Sequence, residues 1–317
     1  MNKWARLIRE WMLPAAIVLG ISLYLVYHFS PALHGFGKWL HPLASEGQRF
    51  IVAVLLFFQF VKISPHDLKL NRWHLKALAI QVGLFLSCAG LVLLLEPGTP
   101  RMLLECAMLC LICPTASAAG VITDRLGGNL ASTVSYLVLI NIAATFLIPL
   151  VIPVVNPSAR MGFWNYVGHI ALKVFPVLIL PGLVAWVIRY TTHKLQRALM
   201  RWASNSFYIW GIGLTLALVL ATRALLLSGL GGWPVAGIVV VSVVACFFQF
   251  WAGHRSDRNK VESLTAGQAL GQKNTGFLIW LGYNYMTPVT SVAGGLYAIW
   301  QNLYNSWELY QKERGKL

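Results

Sequence analysis

Apolar positions run along this chain in long unbroken blocks, not in the one-sided stripes of a soluble helix bundle. Blocks of bilayer length fall at 13–29, 44–62, 77–95, 101–122, 130–154, 165–189, 204–227, 234–253, 262–283 and 286–305. A helix needs roughly 20 mostly apolar residues to cross ~30 Å of hydrocarbon. The pattern therefore predicts an all-α polytopic membrane protein of ten transmembrane helices. Short turns such as EPGTPR and SGLGGWP join them, and no soluble domain fits between. The basic N-terminal stretch MNKWARLIREW leads into the first block without a small-residue cleavage site, so 13–29 is expected as a retained span.

Two blocks carry polar residues at their centres. The fourth reads MLLECAMLCLICPTASAAGVITDRLGGN. Pro114 lacks a backbone donor and clashes with the preceding turn, and Thr115, Ala116 and Ser117 follow it at once. The ninth reads ESLTAGQALGQKNTGFLIWLGY, where Gly267, Gly271 and Gly276 bracket two glutamines, Lys273 and Asn274. Both helices are expected to break near mid-membrane and restart; the plain alternative is an ordinary helix kinked at Pro114. Five spans per half reverse the second half relative to the first. The chain then reads as one transporter domain built of two inverted repeats, 1–154 and 155–317, with paired interrupted helices marking the transport site. Freed backbone groups can coordinate ions, and the restarted N-termini favour anions.

Composition agrees: 57% of residues are hydrophobic and 11% charged, against about 25% charged in soluble domains. The net charge of +15 raises a nucleic-acid reading, which its distribution excludes. Eighteen of the 25 Lys and Arg fall on one side of the ten-span topology, and only Lys38, Arg49, Arg101 and Arg160 in the opposite loops. That bias places both termini in the cytoplasm and directs the basic residues to anionic lipid. Cys88, Cys106, Cys110, Cys113 and Cys246 all lie in apolar runs, so a disulfide framework is not expected. Cys106, Cys110 and Cys113 share a helical face; they read as packing residues, with a soft-metal site as the alternative.

Ionisable groups inside spans are functional candidates by default. Lys273 stands first. Lys173 lies one turn from His169 on span six and is a second candidate for holding an anion. Glu105 is expected at the outer interface, facing water. Asp124 and Glu262 are expected to pair with Arg125, Arg258 or Lys260, and Arg223 to reach the headgroups. Asn141 and Gln249 should bond between helices. Trp164, Trp202, Trp233 and Trp307 read as interfacial anchors. The chain holds no Gly-rich phosphate loop followed by Lys and Ser/Thr and no His-Glu-x-x-His, and an enzyme is not expected.

Three stretches, CPTASAAGVITDRLGGNLASTVS, GQKNTG and GGLYAIWQNLYNSW, resemble the bile acid:sodium symporter (BASS) family, over nearly the whole chain in span count and loop placement. The resemblance implies a panel domain packed on a core domain. The core would hold crossing helices four and nine, with an organic anion bound between core and panel, usually with sodium. The chain then looks like a divergent bacterial-type member in the cell inner membrane. Its sodium-site residues depart from the family. Ala269 stands where the Glu-x-Gly-x-Gln-Asn signature has its glutamate and Lys273 where it has its glutamine, while Gly271 and Asn274 are kept. The Ser-Asn pair of span four falls on Ala119 and Gly120. The Ser-x-x-x-Thr of span five falls on Ser132 and Tyr136, and Gln81 matches the family's span-three glutamine.

An ammonium offers three donors and no acceptor, so Lys273 could take the volume and charge of a sodium ion and bond to carbonyls at the breaks. It could instead snorkel, pair structurally with Asp124, Glu105 or Glu262, or carry a proton. The expected function is secondary transport of an organic anion by alternating access. Thr115, Ser117, Gln272, Lys273, Asn274, Thr275 and Lys173 would hold the anion, with Lys273, Gln81 and Ser132 at the coupling site. The alternative is a non-transporting regulator or sensor on the same scaffold. No cofactor is implied, sodium coupling is left open, and so is a homodimer.

Overall fold

The computed structural model describes residues 3–203 and 206–315, which are helical throughout apart from turns and short 3-10 segments. The helices are α1 (Lys3–Phe29), α2 (Gly37–Val61), α3 (Arg72–Leu93), α4 (Thr99–Ile112), α5 (Ala119–Leu126), α6 (Leu130–Val155), α7 (Phe163–Leu178), α8 (Leu180–Thr191), α9 (His193–Trp202), α10 (Ser206–Ser228), α11 (Gly232–His254), α12 (Lys260–Gly271), α13 (Thr275–Tyr285) and α14 (Ser291–Glu313).

Among the described residues six helical stretches are long and apolar enough to cross a membrane: Trp39–Val61, Arg72–Leu93, Leu130–Val155, Phe163–Thr191, Tyr208–Ser228 and Gly232–His254. The expected spans at 101–122 and 262–283 are not among them because the chain interrupts each as two short helices, α4/α5 and α12/α13. The first contributes the shorter apolar piece Pro14–Phe29, and α14 is long but carries polar side chains. Large apolar side chains cover the exterior, with Leu94, Leu172 and Trp233 more than three-quarters exposed. Water would not tolerate such a surface, and a bilayer is its solvent: the protein is an integral membrane protein. Trp164, Trp202, Trp233 and Trp307 are all exposed.

α9 joins two spans without spanning. Its sequence HKLQRALMRW has no buried residue and has the basic, amphipathic character that suits a helix to a headgroup plane. Elsewhere α1 packs on α10, α2 on α8, α10 and α13, α3 on α4, α6 on α7, and α11 on α4, α12 and α14. α11 and α12 touch backbone to backbone. A Cβ on Gly253 would lie 2.4 Å from the Ala266 carbonyl oxygen, so glycine is required there. This packing holds α12 beside α14 and the two interruptions against each other.

Candidate functional site

The first interruption is dictated locally. A residue before proline is driven out of the α region, and Cys113 sits at ψ 129, ending α4 at Ile112. The chain runs non-helical until Ala119 restarts it as α5. Pro114 cannot donate to the Cys110 carbonyl; the Gln249 side-chain amide of α11 does so at 3.2 Å. The Cys113 carbonyl takes a bond from Gln81 Nε2 of α3 at 3.0 Å, and the Tyr136 hydroxyl orients Gln81 from its other side.

The second interruption has no proline, and its cause is non-local. In a continuous helix Lys273 N–H would bond to Ala269 and Asn274 N–H to Leu270. Instead Lys273 N–H donates to Gln301 Oε1 of α14 at 2.8 Å and Asn274 N–H to the Pro114 carbonyl at 2.8 Å. Two of the carbonyls freed at the break find other donors: Thr115 Oγ1 donates to Ala269 at 2.6 Å, and the Tyr297 hydroxyl to Gly271 at 2.7 Å. Ala116 N–H donates to the Gln272 carbonyl at 2.9 Å. Thr115 and Lys273 thus form an antiparallel bridge, and the two breaks are zipped to one another. Asn274 restarts the chain as the N-cap of α13, its Oδ1 accepting from Phe277 N–H at 3.2 Å. Gly271 is required because the Phe250 ring lies where a Cβ would be.

Lys273 is fully buried at this bridge, and its amine has no hydrogen-bond partner. The titratable groups around it are the thiols of Cys113, Cys110 and Cys246. The expectation that this amine bonds to carbonyls at the breaks is corrected. The carbonyls of Cys113, Ala269, Gly271, Gln272 and Pro114 are taken by Gln81, Thr115, Tyr297, Ala116 and Asn274, and the Asn274 carbonyl by Cys113 Sγ at 3.1 Å. No carboxylate pairs with it either. The three expected partners are engaged elsewhere or lie at the far ends of their helices. The described cysteines are free, and no cluster of three or more His, Cys, Asp or Glu among the described residues is placed to hold a metal ion.

Two cavities are found, one at the bridge and one farther along α4 and α13. A small one of about 60 Å³, room for about two waters, is lined by Ser117, Gln272, Lys273, Asn274, Thr275 and Gly276, closed by α2 and by Trp210 and Leu214 of α10. A larger one of about 790 Å³ lies between Arg101 and Glu105 of α4, Tyr283, Thr287 and the Arg223 end of α10. Leu214 and Arg223 are separated by roughly 13 Å of helix, so the two cavities lie at different levels along α10.

The structure brings Thr115, Ser117, Gln272, Lys273, Asn274, Thr275 and Gln81 to one locus. It does not bring Lys173 or Ser132 there. Lys173 faces Glu46 of α2 at 3.6 Å, both partly exposed. His169 stacks edge-on against Tyr285. Ser132 lies at the start of α6, bonded to Glu262 at 3.2 Å and near His74.

Three expectations about charged groups are overturned. Glu105 is not at an exposed interface: it is buried on the wall of the larger cavity, accepting from Thr287 Oγ1 at 2.7 Å with the Arg101 guanidinium at 3.5 Å. Glu262 pairs with none of its basic sequence neighbours. Its carboxylate accepts from Trp73 Nε1 (2.6 Å), Asn71 Nδ2 (3.3 Å), Ser132 Oγ and Asn129 Nδ2 (3.2 Å), tying α12 to α3 and α6. Asp124 likewise makes no ion pair among the described residues. Arg223 turns inward, donating to His41 Nε2 at 2.9 Å and to the Tyr283 hydroxyl, because α2 and α13 offer acceptors within its reach. Gln249 does bond between helices, to Cys110 and to Tyr297, and Asn141 reaches the Leu178 carbonyl at 3.5 Å.

Sequence reasoning passed over α14. Tyr297, Gln301, Asn305 and Glu308 recur at steps of three and four and are all buried. That polar face at helical spacing was the available signal. Two of its members hold the second break directly.

The chain matches the model of the SBF-like CPA transporter family (DUF4137) over residues 13–251, which include the first interruption and end within α11. No curated protein matches it. The match spans more than half of the chain, and with a membrane-embedded helical fold behind it the conclusion is direct: the chain belongs to this bile acid:sodium symporter-like transporter family.

Proposed function

We propose that the protein is a secondary transporter of an organic anion, working by alternating access, in which the Lys273 amine stands where relatives in the wider family hold sodium. The observation that carries this is a donor without an acceptor. A fully buried amine without a partner sits beside a double break at which the carbonyls of Cys113, Pro114, Ala269, Gly271, Gln272 and Asn274 already have donors. Such a locus already holds a donor where a cation would need acceptors, and what that donor lacks is an acceptor, the property of an anion. The N-terminus of α13 starts at the same wall and favours negative charge.

The architecture supports ten spans: α1, α2, α3, α4/α5, α6, α7/α8, α10, α11, α12/α13 and α14, as two inverted halves divided near residue 155. The antiparallel bridge between the fourth and ninth spans is compatible with such a pseudo-two-fold. On this reading α1, α2, α7/α8 and α10 form a panel, and the remaining helices a core. The larger cavity is the outward entrance, with Arg223 on its wall, and the smaller one is the closed inward side. Rocking of core against panel exposes the bridge to each side in turn. The bias of basic loop residues to one side supports cytoplasmic termini.

The test is uptake and counterflow in proteoliposomes with a panel of bile acids, sulfated steroids and small carboxylates, under a sodium gradient, a proton gradient or neither. Saturable counterflow of at least one anion that Lys273→Met abolishes is expected. No exchange with any anion would favour a non-transporting protein, and strong sodium dependence would remove Lys273 from its assigned role.

A further inference from the structure

Glu308 is the most buried carboxylate described, 1% exposed, near the end of α14. Both its oxygens accept. His254 Nε2 of α11 donates to Oε1 at 2.8 Å, and the Gln268 amide of α12 donates to Oε2. The Gln268 oxygen accepts in turn from the Gln272 amide, and Gln272 lines the cavity at the bridge. Four side chains therefore connect an imidazole that is 26% exposed to the second helix break. Every bond along the chain points toward Glu308, the polarity that an acceptor-only carboxylate imposes.

The backbone is shaped to hold this arrangement. Gly267 lies beneath the His254 ring, where a Cβ would come within 2.6 Å of Nε2. The other titratable group against Glu308 is the Tyr304 phenol on its own helix, whose ring stacks on Phe250. α12 presents the neutral Gln268. Lys312, one turn along α14, has its amine on the Arg125 carbonyl of α5 at 2.7 Å. Glu262, on the first turn of α12, is held by α3 and α6. Glu308 thus faces an imidazole, a phenol and an amide, and pairs with no Lys or Arg among the described residues.

We propose that Glu308 and His254 form a proton-binding site that is read at the transport bridge through Gln268 and Gln272. The proton enters from water at His254 and returns there; no proton passes along the amides. Protonation of the Glu308 carboxylate removes the negative charge that holds the Gln268 amide, and such charge assistance accounts for about half of a bond's strength. A carboxyl hydrogen directed at Gln268 goes further. Gln268 must then present its oxygen, its NH2 meets that of Gln272, and Gln272 must turn at the cavity wall. Naming the proton a coupling ion rests on the transporter reading; the site itself does not, and its test needs no substrate.

The purified protein in lipid nanodiscs is examined in two ways over a pH titration that spans the ordinary carboxylate and imidazole ranges. Infrared pH-difference spectra should show a protonated-carboxyl band that is lost in Glu308→Gln. A bimane dye fixed at Ala118→Cys, in a Cys88→Ser background, should change emission over the same pH range. Glu308→Gln should reduce that change by about fivefold or more, the low end of coupling between sites. Gln268→Leu should keep the carboxyl band yet flatten the emission. Absence of the band in the parent protein, or a pH response unaltered in either variant, overturns the proposal. Should Glu308→Gln fail to fold, Gln268→Leu decides by the same criterion. Titration of both signals in a protein that exchanges no anion would discard the transporter reading and keep the proton site.

Discussion

Lys273→Met separates a working amine from a structural one. Methionine keeps an unbranched stem of similar length and removes only the donor. The amine is fully buried, bonded to nothing, and surrounded by thiols. Burial of an unpartnered polar group costs about 1–3 kcal/mol by mutational measures, so its removal should stabilise the protein by about that amount. Each kcal/mol raises the midpoint of thermal unfolding by about 2–4 °C in chains of 150–250 residues, and by somewhat less in a longer one. The assay is unfolding in detergent followed by tryptophan emission, for which the 13 tryptophans give ample signal. The variant should unfold later than the parent and should have lost anion counterflow, the signature of a residue kept for function at the expense of stability. Destabilisation by about 3–5 kcal/mol, the usual result of removing one member of a buried ion pair, would show that the amine has a structural partner and refute the reasoning.

Three further outcomes follow from the same geometry. Thr115→Val, nearly isosteric, strands the Ala269 carbonyl and should cost about 1–3 kcal/mol in the same unfolding assay. Gly271→Ala drives a methyl to 2.3 Å from Phe250 Cγ and should cost about 1–3 kcal/mol, partly recovered by adding Phe250→Leu. Glu262→Ala removes the acceptor shared by Trp73, Asn71, Ser132 and Asn129. It should cost about 1.5–3 kcal/mol or more, the worth of a bond to a charged group, and should speed proteolysis of the α11–α12 turn.

What could be read along the chain and what could not divide by the range of the forces involved. The apolar blocks locate the long helices, because a 30 Å slab of hydrocarbon leaves a signal in any window of spanning length. The first break was legible from Cys113-Pro114 alone, since proline acts on its immediate neighbours. The second was legible only as a polar interruption. What opens it is Gln301 and Tyr297 arriving from α14 and Thr115 from the other break, and none of these contacts leaves a local trace. Charges misled for the same reason. Glu262 has Arg258 and Lys260 within four residues, yet its bonds come from α3, α6 and Asn129 at the α6 N-cap. Lys173 answers to Glu46, 127 positions earlier on α2. The buried face of α14 was readable in principle, from polar residues spaced three and four apart in a helix that must pack on its neighbours.

Sodium binding tests the central claim most directly, because it needs no substrate. The purified protein is titrated with sodium chloride against choline chloride at constant ionic strength, by calorimetry and by retention of radioactive sodium. The parent protein should bind no sodium ion. Ala269→Glu combined with Lys273→Gln, which restores the carboxylate and the amide of the wider family at the bridge, should bind one. A saturable sodium site in the parent protein, unaffected by replacing Lys273, would contradict the claim that this side chain has taken the cation's place.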